Sequence, residues 1–156
     1  MLDRLLKILA APDPQPEEHD DLQIAVAVLL VEAARMDAAF DEKERATIER
    51  LLAERFSLSA DATRRLIALA ESKAERSNQL YPFTRLAVER MNDEHRIRLI
   101  EMLWEVAYAD GVLDADEDAL LRRVAGLIYV SDQDRGAARQ RVLARLGRPA
   151  KGTTGG

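Results

Sequence analysis

The sequence contains no cysteine, and this absence excludes disulfide bonds, thiolate metal sites and thiol nucleophiles together. Only two histidines are present, His19 and His95, and neither follows a glutamate by three positions, so the Glu-x-x-His pattern of di-iron bundles is missing. The glycine-rich phosphate and dinucleotide loops and the G-x-S-x-G motif are absent too. No catalytic signature remains, and we expect both histidines to be solvent-exposed or to cap helices.

Aromatic residues make up only 4% of the chain against 47% apolar residues, so the core must be mostly Leu, Ala, Val and Ile. This composition is typical of helices, and 156 residues suffice for one compact domain. The longest apolar run, Ile24 to Val31, is far shorter than the roughly 20 residues that span a membrane. The charged N-terminus does not resemble a signal peptide. We therefore expect a soluble, cytoplasmic protein without a transmembrane segment.

The net charge is −5, but the charges are unevenly distributed. From Arg135 to the end there are cations and no acid, so the acidic excess lies in the preceding residues. An acidic body argues against nucleic-acid binding. We interpret the basic end as the solvated face of a last helix, followed by a disordered tail at residues 148–156 that has little apolar content to order it.

Apolar residues recur with a helical period throughout, and no stretch alternates as a strand would. The predicted helices begin near Asp20 or Asp21, Asp41, Ser59, Pro82, Asp93 or Glu94, Asp114 and Asp132, after a short amphipathic helix at Leu2 to Leu9. Gly147 and Pro149 end the last one, and Trp104 lies on an apolar face. The prediction is an all-α domain of about seven to eight helices, covering residues 1–147.

An internal repeat appears when the chain is shifted by 73 residues. The shift superposes "EAARMDAAFDEKERATIERLL" (32–52) on "EVAYADGVLDADEDALLRRVA" (105–125), and it places Ser59 on Asp132. Apolar positions keep the same register. We predict two three-helix units, at about 20–75 and 93–147, related by a pseudo-twofold axis within a single domain.

Each repeat carries acids in the pattern E-x4-D-x3-D-x2-E, and helix capping explains only part of them. The Asp and Glu that begin the second helix of each unit match a capping box, and their negative charges interact favourably with the positive end of the helix dipole. Capping does not explain the remaining four acids, because two of them lie at a helix C-terminus and two lie within apolar sequence. These four are Glu32, Asp37, Glu105 and Asp110.

Two interpretations of these acids stay open: a site for a hard divalent cation with oxygen ligands, or caps and salt bridges alone. An EF-hand is excluded, because a loop starting at Asp114 has Ala119 where glycine is needed and Ala125 where glutamate is needed. The candidate metal ligands are Glu32, Asp37, Asp41, Glu44, Glu105, Asp110, Asp114 and Glu117.

The paired units, with "YADGVLDADEDALL" in one and "RMDAAFDEKERATI" in the other, resemble the tellurite-resistance TerB family over roughly residues 20–146. The resemblance implies an all-helical fold with pseudo-twofold halves and a role in tellurite or stress response. It also implies metal-binding acids at Asp37, Asp41 and Glu44 and at Asp110, Asp114 and Glu117. The first unit departs from the pattern, since Ala38 stands where the family's glycine would be.

We therefore predict a non-enzymatic binding module that holds a divalent cation (Ca²⁺, Mn²⁺, Mg²⁺ or Zn²⁺) or a protein partner through two acidic inter-helix loops. The alternatives are a carboxylate-dependent metallo-hydrolase and a purely structural scaffold. The sequence does not indicate the oligomeric state.

Overall fold

The computed structural model describes residues 20–35, 41–77, 79–109, 111, 113 and 115–147. Those residues form seven helices and no strand, which confirms the all-α prediction. The helices are α1 (Asp21–Arg35), α2 (Glu42–Phe56), α3 (Ala60–Arg76), α4 (Tyr81–Arg90), α5 (Asp93–Ala107), α6 (Ala115–Leu127) and α7 (Asp132–Arg145). The predicted helix at Leu2 to Leu9 and the predicted tail lie outside the described residues.

The helix starts follow the capping residues in the sequence. Asp20 accepts a hydrogen bond from the backbone N–H of Gln23 at 2.8 Å, and Ser59 accepts one from Ala62 at 3.1 Å. Pro82 lies in the first turn of α4, where its missing N–H is not needed. Helix α5 begins at Asp93, as predicted, and Asn92 caps it.

The ends of α2 and α6 show that the internal repeat shifts by one residue. Ser57 and Tyr129 adopt the left-handed conformation, with φ of 54° and 61°. The N–H groups that follow them, of Leu58 and Val130, donate to the carbonyls of Ala53 and Ala125 as in a Schellman motif. Ser59 therefore corresponds to Ser131, which caps α7, so the predicted match of Ser59 to Asp132 was wrong by one position.

Helices α1 and α5 form the centre of the molecule. Every residue of α1 from Ala25 to Val31 is buried, as is every residue of α5 from Leu99 to Ala107. A helix that is buried on all sides over several turns is a core helix. Trp104 is 1% exposed, which confirms its predicted place in the core. Among the described helices, none is both long enough and apolar enough to cross a membrane.

The packing of the helices supports the predicted pseudo-twofold arrangement. Helix α3 packs on α1 as α7 packs on α5, and α2 contacts α5 while α6 contacts α1. Helix α4 packs against α1. The two halves thus share one core, and the starts of α2 and α6, which follow the two acidic segments in the sequence, occupy related places.

Candidate functional site

The first acidic segment ends in a complete capping box. The Asp41 carboxylate accepts the Glu44 N–H at 2.9 Å, and the Glu44 carboxylate accepts the Asp41 N–H at 3.2 Å. These two bonds fix both side chains at the start of α2, Asp41 as the N-cap and Glu44 in the first turn. Glu44 is completely buried although it is a charged residue type. Burial of this kind goes beyond capping, since capping glutamates are ordinarily solvated.

The second acidic segment repeats this burial. Glu117, which lies 73 residues after Glu44, is also 0% exposed in the first turn of α6. Three predicted ligands, Asp37, Asp110 and Asp114, lie outside the described residues. Within the described residues, no group of three Asp, Glu, His or Cys side chains is placed to hold a metal ion. The structure therefore brings together Asp41 and Glu44 and leaves the complete ligand sets untested.

Glu105 lies in a different environment, formed with Glu101 one turn earlier on α5. The side chains of Glu101 and Glu105 are only 11% and 7% exposed. Four guanidinium groups surround them: Arg50 of α2, Arg98 of α5, and Arg141 and Arg145 of α7. We call these six residues the arginine–glutamate cluster.

The contacts in the cluster are short. Arg50 Nη2 lies 2.7 Å from Glu105 Oε2, and Arg145 donates to both carboxylates at 3.0 Å. Arg141 Nε lies 2.9 Å from Glu101 Oε2. Both oxygens of Glu105 thus accept hydrogen bonds from arginine, which satisfies a buried carboxylate without a metal ion. The assignment of Glu105 as a metal ligand remains a prediction.

Within the cluster, the surroundings of Glu101 and Arg145 favour the charged form of each. Burial raises the pKa of Glu101. The hydrogen bonds and charges of Arg141 and Arg145 together lower this pKa by more than burial raises it, so it lies below its ordinary value. Burial lowers the pKa of Arg145, and Glu105 and Glu101 raise it above its ordinary value. Because the guanidinium groups are partly solvated, we expect the cluster to contribute about 1–2 kcal/mol rather than the larger value of a fully buried network.

The interpretation of the basic C-terminal helix as a solvated face was wrong in part. Arg141 and Arg145 bind the cluster, and Arg139 lies over the rings of Trp104 and Tyr108, at 5.6 and 5.9 Å from their centroids. Arg139 Nε also donates to the Tyr108 hydroxyl at 2.7 Å. The sequence does carry a signal for the contact between α5 and α7 in the arginine–glutamate cluster. A four-residue spacing places Glu101 and Glu105 on one face of α5, and the same spacing places Arg141 and Arg145 on one face of α7.

Glu32, the counterpart of Glu105 in the repeat, lines a cleft of about 390 Å³ between α1, α3, α4 and α6. The walls of this Glu32 cleft carry two carboxylates and two guanidinium groups, from Glu32, Glu75, Arg35 and Arg123. Arg35 reaches Glu32 at 3.5 Å. Burial raises the pKa of Glu32 above its ordinary value, and Arg35 lowers it by less.

His95 is exposed, as expected for a histidine at a helix start. Its backbone N–H donates to the side-chain oxygen of the capping Asn92 at 2.8 Å. His19 lies outside the described residues.

Comparison with known families gives one match. The family model described as tellurite resistance protein TerB matches residues 23–140. None of the curated proteins and none of the solved structures matches the chain. The matched region contains both acidic segments, both central helices and most of α7, and so covers the larger part of the chain. The chain therefore belongs to the TerB family.

Proposed function

We propose that this protein is a non-catalytic binding module of a tellurite or stress response, and that it binds a divalent cation at its two acidic segments. The ligands would be Asp37, Asp41 and Glu44 in the first segment, and Asp110, Asp114 and Glu117 in the second. The observation that carries the proposal is the complete burial of Glu44 and Glu117 at related places beside these segments.

The geometry of the capping box supports this function. Asp41 and Glu44 each use one carboxylate oxygen for the backbone, and the box fixes the two side chains next to each other. Adjacent carboxylates supply the oxygen ligands that Ca²⁺, Mg²⁺ and Mn²⁺ prefer. When bound, the cation would supply positive charge to a segment rich in carboxylates, and would join the end of α1 to the start of α2 and the end of α5 to the start of α6.

A thermal-shift measurement tests this function. Protein treated with a chelator is heated in the presence of Ca²⁺, Mn²⁺, Mg²⁺ or Zn²⁺, and binding to the folded state alone should raise Tm with cation concentration. Glu44→Gln and Glu117→Gln should each reduce the rise, because each removes a buried charge, and at Glu44 glutamine also keeps the capping bond.

Glu94→Gln is the matched control, since Glu94 is an exposed acid in the first turn of α5. It should leave the rise in Tm unchanged. A rise that persists in the Glu44→Gln/Glu117→Gln double variant would mean that the cation binds elsewhere and would contradict the proposal. Turnover of a phosphoester by the Mn²⁺-loaded protein would contradict the non-catalytic part.

A further inference from the structure

We propose that the Glu32 cleft binds an arginine side chain of a partner protein, with the partner's guanidinium group on the Glu32 carboxylate. This site is separate from the acidic segments, and the proposal does not depend on cation binding. It rests on a comparison of the two halves of the molecule.

The second half shows how the fold satisfies a carboxylate at this position. Glu105 corresponds to Glu32, and Arg50, which binds Glu105 at 2.7 Å, corresponds to Arg123 of the Glu32 cleft. In the second half Arg145 adds a guanidinium group from α7 at 3.0 Å from Glu105. The carboxylate of the second half is therefore bound from two sides.

The first half has no arginine at the position that corresponds to Arg145. With Ser59 matched to Ser131, the residue that corresponds to Arg145 is Lys73, which is exposed and forms no ion pair with any described residue. Among the described residues, Glu32 forms an ion pair with Arg35 of its own helix alone, at 3.5 Å. Among the described residues, α3 therefore contributes no guanidinium group to Glu32, and the residues of α3 that line the cleft are Ala74 and Glu75.

The cleft favours a cation over an anion. The Glu32 side chain is 24% exposed and that of Arg35 is 39% exposed, so the carboxylate is the more desolvated group. Burial raises the pKa of Glu32, and the charge of Arg35 offsets this only in part. An anionic ligand would lie beside the carboxylates of both Glu32 and Glu75.

The apolar part of the cleft suits the stem of an arginine. Val28, Leu80 and Phe83 line it together with the charged residues. Arginine buries its methylene groups on apolar surface while its head forms ion pairs. The guanidinium group also donates two parallel hydrogen bonds to one carboxylate, as a compact ammonium group does not.

The test is an NMR titration of the full chain with two blocked tripeptides, Ac-Gly-Arg-Gly-NH2 and its citrulline analogue. Citrulline has nearly the shape of arginine without the charge. The arginine peptide should shift the amide signals of residues 28–35, 79–83 and 120–123, and the citrulline peptide should not. Glu32→Gln should weaken binding of the arginine peptide at least about tenfold, the loss expected for a charged hydrogen bond.

Two further variants separate binding at Glu32 from nonspecific attraction of a cationic peptide to an acidic surface. Glu54→Gln, an exposed glutamate on α2, should leave the affinity unchanged. Arg123→Gln should leave the affinity equal or raise it, because it removes a competing cation. The proposal is overturned by equal shifts with both peptides, by unchanged affinity in Glu32→Gln, or by inorganic phosphate that shifts the same signals and loses its effect in Arg123→Gln.

Discussion

At the scale of single residues, the four acids that capping does not explain have different environments. Glu105 is held by arginines from α2 and α7, whereas Glu32 lies in a cleft with one distant partner. Asp37 and Asp110 fall outside the described residues. Two residues at the same place in an internal repeat thus differ because α7 supplies Arg145 to Glu105, whereas the corresponding residue of α3 is Lys73, which forms no ion pair with any described residue.

Replacement of Glu101 by glutamine should destabilise the protein by about 1–2 kcal/mol, because Arg141 and Arg145 lose a charged acceptor. Urea unfolding measures the change. Glu89→Gln is the control, since Glu89 forms an exposed pair with Arg85 at 3.9 Å and should change stability by less than about 0.5 kcal/mol. Equal effects of the two substitutions would show that the cluster contributes nothing beyond a surface pair.

The same cluster predicts how stability depends on pH. The pKa of Glu101 is lower in the folded protein than its ordinary value of 4.5, so the folded state favours the ionised form. Its contribution is complete above the ordinary pKa and is lost as the pH falls through the lower folded pKa. The stability difference between wild type and Glu101→Gln should therefore be constant from neutral pH to about pH 5.5 and shrink below about pH 4.5. A difference that grows on acidification would contradict the assignment.

At the scale of helices, the one-residue shift in the repeat can be tested at the start of α7. Ser131 accepts the Asp134 N–H at 3.0 Å, whereas Asp132 is exposed and pairs only with Arg135. Ser131→Ala should cost about 1 kcal/mol of stability and Asp132→Ala about half as much or less. Chemical unfolding distinguishes them. A larger loss of stability in Asp132→Ala than in Ser131→Ala would mean that Asp132 is the capping residue and that the repeat keeps its 73-residue offset throughout.

Most of the helices could be predicted from the sequence, because their starts depend on local capping residues such as Ser59 and Asp41. The shift at Tyr129 could not, because a left-handed tyrosine carries no compositional signal. The arginine–glutamate cluster was missed for another reason. Arg145 and Glu101 are far apart in the sequence, and only the packing of α7 on α5 brings them together.

At the scale of the whole molecule, the two halves should unfold together. Helices α1 and α5 contact each other and contribute the two largest shares of the common core, so neither half retains a buried apolar face without the other. Trp104, the single tryptophan, lies in that core and reports on it. Tryptophan fluorescence and circular dichroism should give the same urea midpoint. Separate midpoints would mean that the chain contains two independent units.

The central claim is that the two acidic segments form a cation-binding device, and calorimetric titration of metal-free protein tests it most directly. Ca²⁺, Mn²⁺, Mg²⁺ and Zn²⁺ are titrated into wild type and into the Glu44→Gln/Glu117→Gln double variant. The account predicts saturable heat for at least one cation in wild type and its loss in the double variant. Absence of heat with all four cations in wild type, or equal heat in both proteins, would contradict it.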